Sequence, residues 1–305
     1  MTDKPDEDND RLYRVINNAV SYVSHEAFVL AQFESVQNEP FPRLWTTHDG
    51  SDFSSRMDRV AEHLGGPPQA YLVREGGEVP LADSYPAASL HEAIDVFERS
   101  RKSVLRALLF GDGSHLLKTK PDLFDLPEEP KVAEAVVAQA DAAFWEHAEA
   151  AYIRLSSFWD RLGQVMDFAF FNIRKFDQGG FNSVMDRIHV NAVPMDTALK
   201  ASVHWKRLRD FQTSEKEDGL KWLLRRRNLI VHSLHLRPVR AIQDEVFKSQ
   251  FNHLDAAHRE KLRPRDAMGE GDLLSGQLKR AADLFEDALA VIEMTRSRKV
   301  DRFVG

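Results

Sequence analysis

The sequence predicts a mainly α-helical protein: an antiparallel helical bundle with an N-terminal helical extension that contains a small β-hairpin. Apolar residues recur at three- and four-residue intervals through most of the 305 residues, as one face of a helix requires. The longest such stretch, Lys131 to about Phe176, holds no Gly or Pro except Gly163. Strand-like patterning is confined to "AYLVREGGEVPL", where a Gly-Gly pair separates two short apolar runs.

In chain order, residues 1–10 form an acidic, polar segment with little to bury, expected to be a disordered tail. Leu12, Val15, Ile16, Ala19, Val20, Val23, Ala27, Leu30 and Phe33 then mark a long amphipathic helix. It opens an N-terminal region, residues 11–125, that includes the hairpin and a helix carrying Leu90, Ile94, Phe97, Val104, Leu105 and Leu108. That helix is expected to stop at Gly111–Gly113. The proline-bounded "KPDLFDLPEEP" predicts a boundary, and residues 130–305 form the bundle. Its first helix sets Leu155, Phe158, Trp159, Leu162, Val165 and Met166 on one face, with partners expected over Thr197–Phe211, Lys216–Leu236 and Leu273–Thr295.

Composition excludes several functions. The chain has no cysteine, so disulfides, thiolate metal sites and cysteine nucleophiles are ruled out. No apolar run approaches the ~20 residues of a membrane span, and the acidic start is unlike a signal peptide, so a cytoplasmic protein without membrane contact is expected. Phosphate-loop and dinucleotide glycine patterns are missing, and no His-Glu pair has the second His of a zincin helix, so no cofactor and no metal is expected.

Net charge is −7, so nucleic acid would need a local basic patch. Between Lys200 and Arg240, eleven Lys or Arg stand against four acids, a local excess of seven positive charges. At its centre is "KWLLRRRNLIVHSLHLRP", Lys221–Pro238. At about 100° per residue, Arg225, Asn228 and His232 share one helix face, while Arg227 lies roughly 140° from His232. His232 and His235 are three apart, as a metal pair would be, but arginines crowd them and no acid is near in sequence.

The order "RNLIVH", with Arg227, Asn228 and His232, resembles the HEPN superfamily, whose ribonucleases carry Arg, four to six residues, then His, often with Asn after the Arg. Arg43–His48 and Arg56–His63 have permitted spacings too, but lack the Asn and the apolar helical setting. The resemblance spans about residues 140–300 and is nearest the Cthe-type bacterial subgroup. It implies an HEPN-like bundle and a metal-independent endoribonuclease leaving 2′,3′-cyclic phosphate ends. It also implies a homodimer in which two Arg and His sets share one cleft on RNA, and a toxin or phage-defence setting with an antitoxin or regulatory protein as further partner. Histidine suits proton transfer near neutral pH and arginine suits a charged phosphorus centre. Arg227 is the family's choice for phosphate and Arg225 that of ideal geometry. Asn228 would orient His232 or the phosphate, and Asp160 is the supporting acid from the preceding long helix, with Asp167 its alternative. The competing reading is a non-catalytic HEPN-like module that binds a nucleotide, RNA or protein and buries Arg and Asn as a polar network.

Overall fold

A computed structural model describes residues 5–37, 39–44, 50–65, 71–74, 77–80, 85–123, 129–171, 180–232 and 265–295. It is mainly helical and divides into two compact units, Met1–Phe41 and Pro42–Gly305.

The first unit is built on α1 (Pro5–Ser35). α1 begins at Pro5, and proline suits the first helical position, where its missing N–H costs nothing; residues 1–4 of the expected tail lie outside the described residues.

In the second unit, α2 (Gly50–Gly65) precedes two short strands, β1 (Tyr71–Arg74) and β2 (Gly77–Pro80), which pair antiparallel with Leu72 opposite Val79. Two long helices follow, α3 (Tyr85–Thr119) and α4 (Pro130–Phe170). Arg161 pairs with Glu92, Phe158 meets Phe97 and Asp141 bonds Lys118; partner numbers rise on one helix as they fall on the other, so the pair is antiparallel. This pairing puts α3 in the same unit as the bundle, so the division falls after residue 41 and not at the proline-bounded linker. It also explains why α3 runs through Gly111 and Gly113, where a stop was expected. A Cβ on Gly111 would lie 3.0 Å from the Phe144 ring, and the close approach it permits offsets the ~1 kcal/mol that glycine costs a helix.

The chain continues through α5 (Gly180–Asn191), α6 (Thr197–Ala201), α7 (Val203–Thr213), α8 (Leu220–His232) and α9 (Ala267–Met294). The helix expected over Thr197–Phe211 is two, because Ser202 breaks it and caps the second by accepting from Trp205 N. The one expected over Lys216–Leu236 starts later, at Leu220, and residues beyond His232 lie outside the described part.

The core centres on Trp159 of α4. Its ring lies 5.2 Å from Phe158, 5.0 Å from Phe181 of α5 and 4.4 Å from Phe211 of α7, so one side chain ties three helices together. α5 sits directly on α4 at Gly163, where a Cβ would stand 2.7 Å from Phe181 Cα. Among the described residues, no helix is long and apolar enough to cross a membrane.

Candidate functional site

α8 owes its position to an inward stripe of Leu220, Trp222, Leu223, Arg226 and Leu229, all buried. An arginine in that stripe is unusual, and the structure shows what holds it. Arg226 is fully buried, with Nη2 2.7 Å from Glu270 Oε1 and 2.9 Å from Oε2. Its guanidinium lies 5.1 Å from the Trp222 ring centre and 5.8 Å from that of Tyr152. The Tyr152 hydroxyl donates to Glu270 Oε1 at 2.8 Å and Arg265 N donates to Oε2 at 3.1 Å, so the buried carboxylate is held from three sides. Burial, and then the adjacent carboxylate, push the Tyr152 hydroxyl well above its usual pKa and keep it protonated.

With Arg226 turned inward, the outer side of α8 carries Arg225, Asn228 and Val231. Arg225 and Lys221 both pair with Glu215 at 3.4 Å, and their hydrogen bonds hold that exposed carboxylate below its ordinary range. Arg227 is half-buried on the flank, yet its Nη1 donates to Asn228 Oδ1 at 2.9 Å, so the guanidinium swings toward the outer face. His232 is the last residue of α8; its side chain and all of His235 lie outside the described residues.

α4 brings Asp160 into the electrostatic reach of Arg227. Asp160 Oδ1 also accepts from Phe181 N at 3.4 Å, which places a carboxylate at the start of α5. This close fit needs glycine before it: Gly180 has φ +60° and a Cβ there would overlap Asp160 Oδ1. Burial raises the Asp160 pKa, opposed by the Phe181 N–H and then by Arg227 and Arg161. Arg161 itself pairs with Glu92 at 3.0 Å. Asp167, the alternative acid, is buried and pairs with Arg187 of α5 at 3.0 Å, which gives it a structural task away from Arg227.

Acids from outside the segment, Asp186, Glu270 and Asp287, answer part of its local excess of positive charge. Of the eleven basic residues in the segment, Arg207, Arg209, Lys221, Arg225 and Arg226 are in ion pairs. Sequence reasoning missed their partners, among them the buried Glu270 and Asp287 of α9. Asp287 of α9 is buried, with Oδ1 2.6 Å from His204 Nδ1 and Oδ2 3.2 Å from Arg207 Nη1. Both acids occupy the apolar stripe of α9, with Leu274, Leu278, Leu284 and Ile292, and an acid on such a stripe is the signal that could have found them. Among the described residues, no group of three or more His, Asp or Glu is arranged to hold a metal ion. Compared with known proteins, the chain matches no family model, no curated protein and no solved structure.

Proposed function

We propose that the protein is a metal-independent endoribonuclease of HEPN type, with Arg227, Asn228 and His232 as its reacting set and Asp160 in support. The observation that carries this is the sorting of neighbouring arginines: Arg226 is locked to Glu270 and Arg225 to Glu215, while Arg227 sits beside Asn228 and within reach of Asp160. In this reading Arg227 binds the scissile phosphate through paired hydrogen bonds, and His232 takes the proton from the ribose 2′-hydroxyl. Attack of that oxygen on phosphorus breaks the bond to the 5′-oxygen, leaving a 2′,3′-cyclic phosphate and a 5′-hydroxyl. One histidine in each reacting set is one proton carrier short, so two copies contribute to a shared cleft. Such an enzyme acts in the cytoplasm as a toxin or defence effector, under an antitoxin or regulatory protein.

The test is incubation of full-length protein with mixed cellular RNA in EDTA, followed by end-group analysis. Cleavage to cyclic-phosphate ends by wild type, lost in Arg227→Ala and in His232→Ala, is the expected result. Retained cleavage in both variants, or dependence on a divalent ion, refutes the assignment. The second reading, a non-catalytic module, is favoured by the structural uses of Arg226 and of Asp160 as a cap on α5. It predicts RNA or nucleotide binding without product.

A further inference from the structure

One side of α1 is apolar over three turns. Leu12, Ile16, Ala19 and Val23 recur at four-, three- and four-residue intervals, flanked by Val15 and Tyr22 on one side and Tyr13 and Val20 on the other. Leu12, Tyr13, Val15, Ile16, Val20, Tyr22 and Val23 are each between 52% and 70% exposed. The opposite side is polar, with Arg14, Asn17, Asn18, Ser21, Ser24 and His25. A helix of this kind draws most of its stability from covering such a face.

From the ordinary size of these side chains, the seven present roughly 800 Å² per chain, the share each partner contributes to a standard protein interface. That is above the about 300–600 Å² of the largest apolar patch on a typical monomer. We propose that this face pairs with the same face of a second copy of the chain, as a helix-to-helix seam crossing near Ala19. Three features select a second copy. The repeat of three and four is the spacing that lets helices interlock. Ala19 gives two backbones room to approach between the larger Ile16 and Val23. Arg14 is the single charged residue from Leu12 to Val23 and lies on the polar side, so identical faces meet with no like charges opposed. A helix built to lie on an anionic lipid surface would instead line its polar side with Lys and Arg. This pairing is independent of the α8 cleft proposed above.

Because the chain contains no cysteine, single cysteines report the contact cleanly. Ile16→Cys, Ala19→Cys and Val23→Cys, made separately in the full chain with Ser21→Cys as the polar-side control, are oxidised at low micromolar concentration. At least one seam variant, with Ala19→Cys foremost, is expected to form a disulfide-linked dimer at ten times the control's yield or more. The double variant Ile16→Glu/Val23→Glu is expected to weaken self-association at least tenfold in sedimentation, with the melting of the second unit unchanged. If that variant unfolds α1, the cysteine comparison still decides the matter. Seam cysteines no more reactive than Ser21→Cys, with a monomer or with a dimer indifferent to the glutamates, overturn the proposal. A dimer joined only through α8 would give that last result.

Discussion

Replacing Arg226 with methionine removes the charge but keeps most of the side chain's volume against Trp222 and Tyr152. Glu270 is then left fully buried, with the Tyr152 hydroxyl and Arg265 N as donors and no cation. Removing one partner of a buried ion pair costs about 3–5 kcal/mol, because the remaining charge is stranded away from water. At about 2–4 °C per kcal/mol for a large domain, the melting temperature should fall by roughly 6–20 °C. Adding Glu270→Gln removes the stranded charge, and its amide oxygen can accept from Arg265 N while its NH2 donates to the Tyr152 oxygen, so the double variant should recover about 2 kcal/mol or more. Urea unfolding of wild type, both single variants and the double variant closes the cycle. A loss below about 1 kcal/mol in Arg226→Met, or no recovery on adding Glu270→Gln, would show that the pair is not what holds α8 to α9.

Two glycines in helices should respond in opposite directions. Gly163→Ala drives a methyl into the backbone of Phe181 and should cost about 1–3 kcal/mol in urea unfolding, whereas Gly276→Ala meets nothing within 4 Å and should gain about 0.5–1 kcal/mol. Equal effects would contradict the packing of α5 on α4. Asp160→Asn tests the buried carboxyl. Its folded pKa is raised, so its contribution to stability is present at acid pH and is lost as pH rises through the folded value, above the ordinary 3.8. The amide does not ionise, so the variant should gain on wild type as pH rises from the ordinary 3.8 through the raised folded value; a difference that is constant with pH refutes the burial argument. In the cleavage assay the same variant should be slower than wild type, since Arg227 loses its nearby carboxylate.

The helices were legible where their apolar stripes were long and unbroken. α4 was expected within a few residues of its observed start because Lys131 onward offers no breaker, and Gly163 inside it is tolerated by the close approach of Phe181. The end of α3 was misjudged because glycine was taken as a stop, whereas at Gly111 it is a contact surface for Phe144. α5 was not anticipated at all, since its twelve residues are held by contacts with α4 and α7 that lie far off in sequence. In the candidate site, the helix and the shared face of Arg225 and Asn228 follow from a 100° step. The identity of each arginine's partner does not. Glu215 lies ten residues from Arg225, but Glu270 is forty-four from Arg226, and only the fold brings it there.

That distant pair bears on how the exposed residues are displayed. Three successive arginines, Arg225 to Arg227, give α8 little preference of its own about which one faces inward. Slipping by one residue would rotate the helix by about 100° and exchange a buried arginine for an exposed one. Trp222, Leu223 and Leu229 favour the observed setting through burial, but Ile230 could serve a neighbouring one. Glu270, held also by Tyr152 and Arg265, accepts one guanidinium, and Arg226 reaches it while Trp222 and Leu229 stay covered. The hypothesis is that the buried pair sets the rotation of α8 and hence the display of Arg227 and Asn228, a specificity role distinct from stability. It predicts that Arg226→Met/Glu270→Met, with the charges replaced by apolar volume, keeps its stability yet exchanges the amide hydrogens of α8 faster than wild type. It predicts also that this variant loses cleavage although neither substituted residue lies on the outer face. Unchanged exchange along α8 together with unchanged cleavage would show that apolar packing alone fixes the helix.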